Sequence, residues 1–430
     1  VVRRASRQQS AITPGALLKR LGPGFITGTS DDDPSAIATY AQAGAQFGLG
    51  QIWSALFTWP MMSAIQEMCG RIGMVTGLGL SAVIRRHHSR QLLYAIVGAQ
   101  VLVNTINIGA DLSGMAESGR LLLHLPYWAW LAATTLVTVP LIVFVPYHKY
   151  VSYLRVVGIT LLAYVAVAAT IKIDWLVVLR DTLVPHVSLD KDFMLGLVAI
   201  LGATISPYEF FWQANEEVEE LVERHAIRKE GHKPPERAIH LGWLRWDTWF
   251  GMFVCNAIMY FIMLTAAFTL FPHGVHNVAT AAQAAEALRP LAGRATFLLF
   301  ALGIVSAGLI SIPVMAGSSA YAVAGAFNWQ RSLEKTPKEE PKFYAVIAGS
   351  ALAGLLVNFF PVPPFKMLFY TAILNGIISP VMIFMVLRIG RDASIMGQHT
   401  NSAYANAMGW ILFAAMSLSL AVLAFYLLKG

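Results

Sequence analysis

Three consecutive aspartates, Asp31-Asp32-Asp33, followed by Pro34 and Ser35, interrupt a stretch from Gly22 to Gly48 that is otherwise apolar enough to cross a membrane. A carboxylate at bilayer depth costs about 2.5–3.5 kcal/mol even on lenient insertion scales, so three together demand compensation. Pro34 removes a backbone donor and pushes its neighbour out of helical geometry. An acidic, broken helix is tolerated at that depth where it lines a cavity or binds something positive. The chemistry this predicts is cation handling. A second interruption, Gly202-Ala203-Thr204-Ile205-Ser206-Pro207-Tyr208-Glu209, again sets a proline among hydroxyl and acidic groups inside an apolar helix. Glu209 follows that break and either faces the cavity, as ligand or base, or pairs with a cation elsewhere.

The elements that must hold these groups are membrane helices. The chain has 430 residues, 56% hydrophobic and 13% charged, whereas a soluble domain carries about 25% charged residues. It reads as an all-α polytopic membrane protein. Eleven spans are expected, over 22–48, 50–70, 91–118, 127–147, 151–173, 194–215, 247–271, 294–325, 343–362, 366–388 and 404–428. Breaks in spans one and six predict a LeuT-type 5+5 inverted repeat with its site between them. The whole of 1–430 is then one transmembrane domain. Residues 1–21 form a cytoplasmic N-terminal segment, 22–173 the first repeat, 194–388 the second and 404–428 an additional helix.

The net charge of +7 resembles a polyanion-binding signal until its distribution is examined. With the N-terminus inside, 23 Lys and Arg fall on cytoplasmic segments and 8 outside. The clusters are Arg3, Arg4, Arg7, Lys19 and Arg20, then Arg85, Arg86 and Arg90, then Arg224, Arg228, Lys229, Lys233 and Arg237. This positive-inside bias predicts a multi-pass protein of the cell (inner) membrane, N-terminus inside and C-terminus outside, with no nucleic-acid partner. Val1 to Arg20 lacks the apolar core of a cleavable signal. Cys69 and Cys255 lie in apolar segments and suggest neither a disulfide framework nor a thiolate metal site. The polar stretch from Glu216 to Arg245 is expected to be a solvated helix and loop with paired charges.

Several blocks resemble the Nramp divalent-metal transporters. Gly22-Pro23-Gly24-Phe25 leads into Asp33-Pro34-Ser35-Ala36, where the family reads Asp-Pro-Gly-Asn. Arg71-Ile72-Gly73-Met74-Val75-Thr76-Gly77 follows span two, and Ala110-Asp111-Leu112 lies in span three. Gly202 to Tyr208 stands where the family has a Met-Pro-His core, and Ala307-Gly308-Leu309-Ile310-Ser311 through Ala316-Gly317 matches span eight. The resemblance implies metal transport on a LeuT-type fold, with ligands from spans one and six.

By position, the family's aspartate is Asp33, but its asparagine becomes Ala36 and its methionine Ser206. Losing the thioether removes the ligand that favours transition metals. Oxygen remains: the Asp33 carboxylate, the Ser206 hydroxyl, and the backbone carbonyls of Ser30 and Ala203. Such a set suits Mg²⁺ or Ca²⁺, and Mg²⁺ keeps several waters. Asp31 and Asp32 add negative potential for a partly hydrated dication. Asn375, in span ten, is a further ligand candidate because the family places a polar amide there. A magnesium-transporting branch of the family lacks the sulfur ligand, and this chain resembles it.

The family's proton route is also altered. Its two span-six histidines become Tyr208 and Gln213, and of its span-three acidic pair only Asp111 survives. Histidine is the side chain that titrates most readily near neutrality. Uncoupled transport is therefore expected, driven by the ion gradient and by a membrane potential worth about 2.3 kcal/mol per charge per 100 mV.

Glu67 and Glu117 are expected at the membrane interface, and Asp247 and Asn256 in interhelical hydrogen bonds. Two other classes fit less well. Prenyltransferase aspartate motifs space acids at i and i+4 on one helical face, unlike three consecutive acids before a proline. An amino-acid carrier would bind a substrate carboxylate that these aspartates repel. The expectation is an alternating-access carrier of a hard dication, Mg²⁺, with a proton-coupled Mn²⁺ or Fe²⁺ carrier as the alternative. It is not an enzyme and needs no cofactor. Its partners are the transported ion and the lipid bilayer; the oligomeric state stays open, a monomer being sufficient.

Overall fold

The computed structural model describes residues 22–145, 159–333 and 335–429, and they form an all-helical bundle. The first helix, α1 (Pro23–Ser30), stops at the aspartates, and α2 (Pro34–Phe47) resumes after them. There follow α3 (Trp53–Thr76), α4 (Leu80–His87), α5 (Arg90–Gly119), α6 (Tyr127–Phe144), α7 (Ala163–Thr170) and α8 (Trp175–Leu183). The second half holds α9 (Lys191–Thr204), α10 (Pro207–Glu223), α11 (Leu241–Thr269), α12 (Thr296–Phe327), α13 (Pro341–Gly354), α14 (Pro364–Arg391) and α15 (Ala403–Lys429). Proline opens α1, α2, α10, α13 and α14, a position where its missing N–H is harmless and its fixed φ already suits the helix. Gly77, at φ +66°, ends α3 in the left-handed conformation that lets the chain turn into α4 at 69°.

Among the described residues, eight helical stretches are long and apolar enough to cross a bilayer, or nine with the bent α3–α4 pair. At 8 and 14 residues, α1 and α2 reach only about 12 and 21 Å at 1.5 Å per residue, so the break leaves each too short alone. The expected fifth span, over 151–173, lies partly outside the described residues, and the N-terminal segment, 1–21, with Arg3, Arg4, Arg7, Lys19 and Arg20, lies wholly outside them.

Burial places the broken helices at the centre. The apolar window of α9–α10 is 94% buried, against 22% for α15. The second figure makes α15 the least buried of the long apolar helices among the described residues. Around the breaks, α11 runs along both α1 and α2, α10 packs on α3 and α12, and α9 on α14. Small residues permit the approach: a Cβ on Gly28 would stand 2.4 Å from the Gly251 carbonyl carbon, and one on Gly202 would stand 2.3 Å from the Gly376 nitrogen. Without a hydrophobic drive between helices in lipid, such close van der Waals contact is what associates them.

Two expectations fail here. Span six does not give way to a solvated segment at Glu216: α10 runs on to Glu223 and turns acids inward. Glu217 is buried and accepts from the Gln213 amide, while Glu219 accepts from the Tyr321 hydroxyl and the Leu333 N–H. Glu67, expected at the interface, is 3% exposed and accepts from Arg71, Arg245 and Trp249. In both cases part of the compensation comes from far along the chain, Arg245 and Trp249 for Glu67 and Tyr321 and Leu333 for Glu219, which the local sequence does not show.

Candidate cation site at the two helix breaks

In an unbroken α-helix the carbonyl of residue i accepts the N–H of residue i+4. Four residues after Ser30 stands Pro34, and four after Ala203 stands Pro207. Neither has an N–H to offer, so each proline releases one carbonyl at its break. The two are answered differently. The Ser30 carbonyl accepts the Tyr208 hydroxyl at 3.4 Å, a bond that joins the two breaks. The Ala203 carbonyl accepts the Ser206 hydroxyl at 3.2 Å, and the same hydroxyl reaches the Gly202 carbonyl at 3.2 Å. Ser206, the residue before α10, thus closes the end of α9.

Asp33 is the N-cap of α2. Its Oδ1 accepts the Ala36 N–H at 2.7 Å and the Ser35 hydroxyl at 2.6 Å. Ala36 therefore contributes its backbone, not a side-chain ligand. The cap orients the carboxylate rigidly. Asp31 and Asp32 turn toward α11, where the Cys255 thiol donates to Asp31 Oδ2 at 3.1 Å and to Asp32 Oδ1 at 3.6 Å. Asp111, on α5, accepts from Ser311 of α12 at 3.3 Å, and Asp33 is the charge that bears on it most. Glu209 accepts from the Gln66 amide of α3 at 2.7 Å, and Asp31 is its strongest charged neighbour. Tyr208 is fully buried, donates to the Ser30 carbonyl and accepts the Ser318 hydroxyl on its own carbonyl.

None of these groups meets solvent: Asp31, Asp32, Asp33, Asp111, Ser206, Glu209 and Asn375 are all 3% exposed or less. Among the described residues, Asp31 Oδ1, Asp111 Oδ1, Glu209 Oε1 and both amide atoms of Asn375 have no hydrogen-bond partner. Among the described residues, no arginine or lysine pairs with the five carboxylates. Buried polar groups are almost always satisfied and buried charges compensated. This cluster is only partly satisfied and, among the described residues, has no paired cation, which is the electrostatic signature of a place for a positive ion. Among the described residues, no three His, Cys, Asp or Glu side chains stand ready around one point as a metal cage. An ion here must rely on carbonyl, hydroxyl and amide oxygens as well.

Most of the residues singled out in sequence converge on this region. Gln213 bonds none of them: it accepts from Thr27 at 2.6 Å, tying α10 to α1, and donates to Glu217 one turn along its own helix. Asp247 and Asn256 hold helices as expected, Asp247 by accepting the Gly22 and Phe25 N–H groups at the start of α1, Asn256 by bonding Thr58 and Met62 of α3. Cys255 and Gln66 carried no signal of their own in the sequence.

Two broken helices meeting at a buried, acidic, oxygen-lined point within a polytopic bundle define a membrane carrier of the LeuT type. The fold agrees. A manganese transporter of Eremococcus coleocola superposes with a TM-score of 0.73 at 16% identity, covering 95% of this chain and 87% of that one. Mhp1, a nucleobase-cation-symport-1 family transporter, gives 0.56 at 14% identity, over 94% and 92%. Among curated relatives, the divalent metal cation transporter MntH of Mycobacterium tuberculosis strain H37Rv is 24% identical over 418 residues, 95% of this chain and 92% of its own length. The MntH of Verminephrobacter eiseniae is 28% identical over 349 residues, 79% and 76% of the two chains. The sequence profile described as "Natural resistance-associated macrophage protein-like" matches residues 24–426. The chain belongs to the Nramp family, whose members are membrane transporters and not enzymes.

Proposed function

We propose that this chain moves a divalent metal cation across the cell membrane by alternating access, that the ion is a hard one, Mg²⁺, and that no proton is coupled to it. The observation that carries the proposal is the buried set of carboxylates that, among the described residues, has no counter-cation, around two carbonyls released by proline. Divalent-metal transport is supported by the relatives, which are named for it. The preference for a hard ion is supported by the donors: the Asp33 carboxylate, the Ser206 hydroxyl, the carbonyls of Ser30 and Ala203, and the Asn375 amide are all oxygen ligands. Asp31, Asp32 and Glu209 supply field and hydration-shell acceptors. Lack of proton coupling is supported by the histidines. The ten described ones all sit in loops or at helix ends, and His148 lies outside the described residues.

Burial of the whole cluster matches a state closed to both faces, in which the ion would be held before release. With the N-terminus inside, the basic loops face the cytoplasm, and an inside-negative potential drives the dication inward.

The test is uptake into proteoliposomes across a panel of dications with a pH dye inside. Asp33→Ala is expected to abolish Mg²⁺ uptake, and Asp33→Asn, which keeps the cap acceptor, to do the same. Uptake at the normal rate in both overturns the site. A second reading, a proton-coupled Mn²⁺ or Fe²⁺ carrier, is favoured by one observation: buried carboxylates without cations, such as Asp111 and Glu209, are able to hold protons. Mn²⁺ uptake in large excess over Mg²⁺, with lumen acidification in step, selects it.

A further inference from the structure

Three arginines gather where α4 turns into α5. Arg85 and Arg86 lie in the last turn of α4, and Arg90 opens α5. Among the described residues none of the three has an acidic partner. Glu230 precedes Gly231, against which Arg86 lies, but its carboxylate is taken by Arg331. The Arg85 guanidinium donates to the Asn328 side-chain oxygen at 2.6 Å, while its Nε is buried and, among the described residues, without a partner. Arg86 and Arg90 are the like charges that bear on it. Such a cluster raises a positive potential that draws an anion.

Beside the arginines the surface becomes aromatic. Tyr94, one turn into α5, and Phe327, the last residue of α12, are 45% and 53% exposed, and their rings stack at 5.6 Å. Phe327 stacks in turn on Trp329 at 5.3 Å, and the Lys342 ammonium stands 5.5 Å over the Trp329 ring. Both α5 and α12 are long and apolar enough to cross a bilayer, so exposed rings at their ends sit where amphipathic aromatics settle, at headgroup depth. Further along α5, Gly98 and Leu102 are exposed, and a Cβ on Gly98 would meet nothing within 4 Å, which leaves a shallow notch. We infer that this face binds an anionic phospholipid, with its phosphate at Arg85, Arg86 and Arg90, its glycerol against the Tyr94–Phe327 stack and an acyl chain along the Gly98 notch. The positive-inside bias and the aromatic belt each account for one half of this surface. Neither requires the halves to be joined, as Asn328 joins them by holding Arg85 at the end of the stack. A free phosphate ion would use the charges and leave the apolar strip bare; a lipid covers both. The site uses no residue of the two helix breaks.

The experiment is a calorimetric titration of the purified chain, in an uncharged detergent, with dioctanoyl phosphatidylglycerol, dioctanoyl phosphatidylcholine and inorganic phosphate. Phosphatidylglycerol is expected to bind more tightly than phosphatidylcholine, and inorganic phosphate is not expected to displace it. An arginine near an anionic lipid contributes about fivefold in affinity, so Arg86→Gln with Arg90→Gln is expected to weaken phosphatidylglycerol by about twenty-five-fold. Both side chains are exposed, and an unchanged thermal midpoint without lipid checks that the variant folds. Arg86→Lys with Arg90→Lys keeps the charges and should keep most of the affinity, while Phe327→Ala should weaken it. Lys233→Gln with Arg237→Gln, which removes the same charge from exposed positions elsewhere in the basic loops, should leave it unchanged. Equal binding of the two lipids, an equal loss in the Lys233 and Arg237 variant, or displacement by inorganic phosphate overturns the lipid site.

Discussion

Glu209 and Glu67 sit on facing helices, both buried, and meet opposite surroundings. Glu67 accepts from the Arg71 guanidinium, from Arg245 through two nitrogens at 3.1 Å each, and from the Trp249 indole at 3.1 Å. Glu209 accepts one neutral amide, from Gln66, the residue next to Glu67. Among the described residues, its other oxygen has no partner. The neighbouring pair Gln66 and Glu67 thus serves two ends: one residue steadies an uncompensated carboxylate, the other is compensated by two cations. The difference separates a carboxylate that holds helices together permanently from one left able to meet a passing ion. Burial alone does not distinguish them, since both are 3% exposed or less.

The largest expected effect tests the compensated side. Glu67→Gln leaves Arg71, whose side chain is 5% exposed, without its counter-charge, at a cost on the order of 3 kcal/mol. Thermal unfolding in detergent should show a clearly lowered midpoint; an unchanged one breaks the comparison. Glu209→Gln should act in the opposite direction and by less. Removing an uncompensated buried charge should hold or raise the midpoint in chelator while weakening dication binding in calorimetry. A midpoint lowered in chelator would put Glu209 in the same class as Glu67. The smallest effect is one of selectivity. Ser206→Met returns a thioether to the second break and should shift the Mn²⁺-to-Mg²⁺ affinity ratio by about tenfold, near 1.4 kcal/mol. A ratio that does not move would place the ion away from Ser206.

Much of this region was legible along the chain because its causes are local. Pro34 and Pro207 act on residues four before them, so the freed carbonyls of Ser30 and Ala203 follow from sequence spacing alone. The acids between those carbonyls are equally visible. What escaped was every partner at long range. Cys255 is 224 positions from Asp31, and Arg245 is 178 from Glu67. A cysteine in an apolar run carries no local sign of the carboxylate it will face. Glu217 and Glu219 misled for the same reason: their spacing reads as a charged, solvated helix, yet the tyrosine, serine and backbone N–H that satisfy Glu219 lie on and beyond α12.

The sequence by itself determined that the chain is a helical membrane protein, where two helices break, and that the first break is acidic. Hydropathy and the chemistry of proline act through bonds and through the nearest turn, so they need no third dimension. Only the tertiary structure decided which carboxylates are compensated. It turned Asp33 onto its own helix start, sent Asp31 and Asp32 to a thiol on α11, paired Glu67 with two arginines and left Glu209 with one amide. Charge compensation depends on distances of a few ångströms between residues far apart in the chain, and packing alone sets those distances.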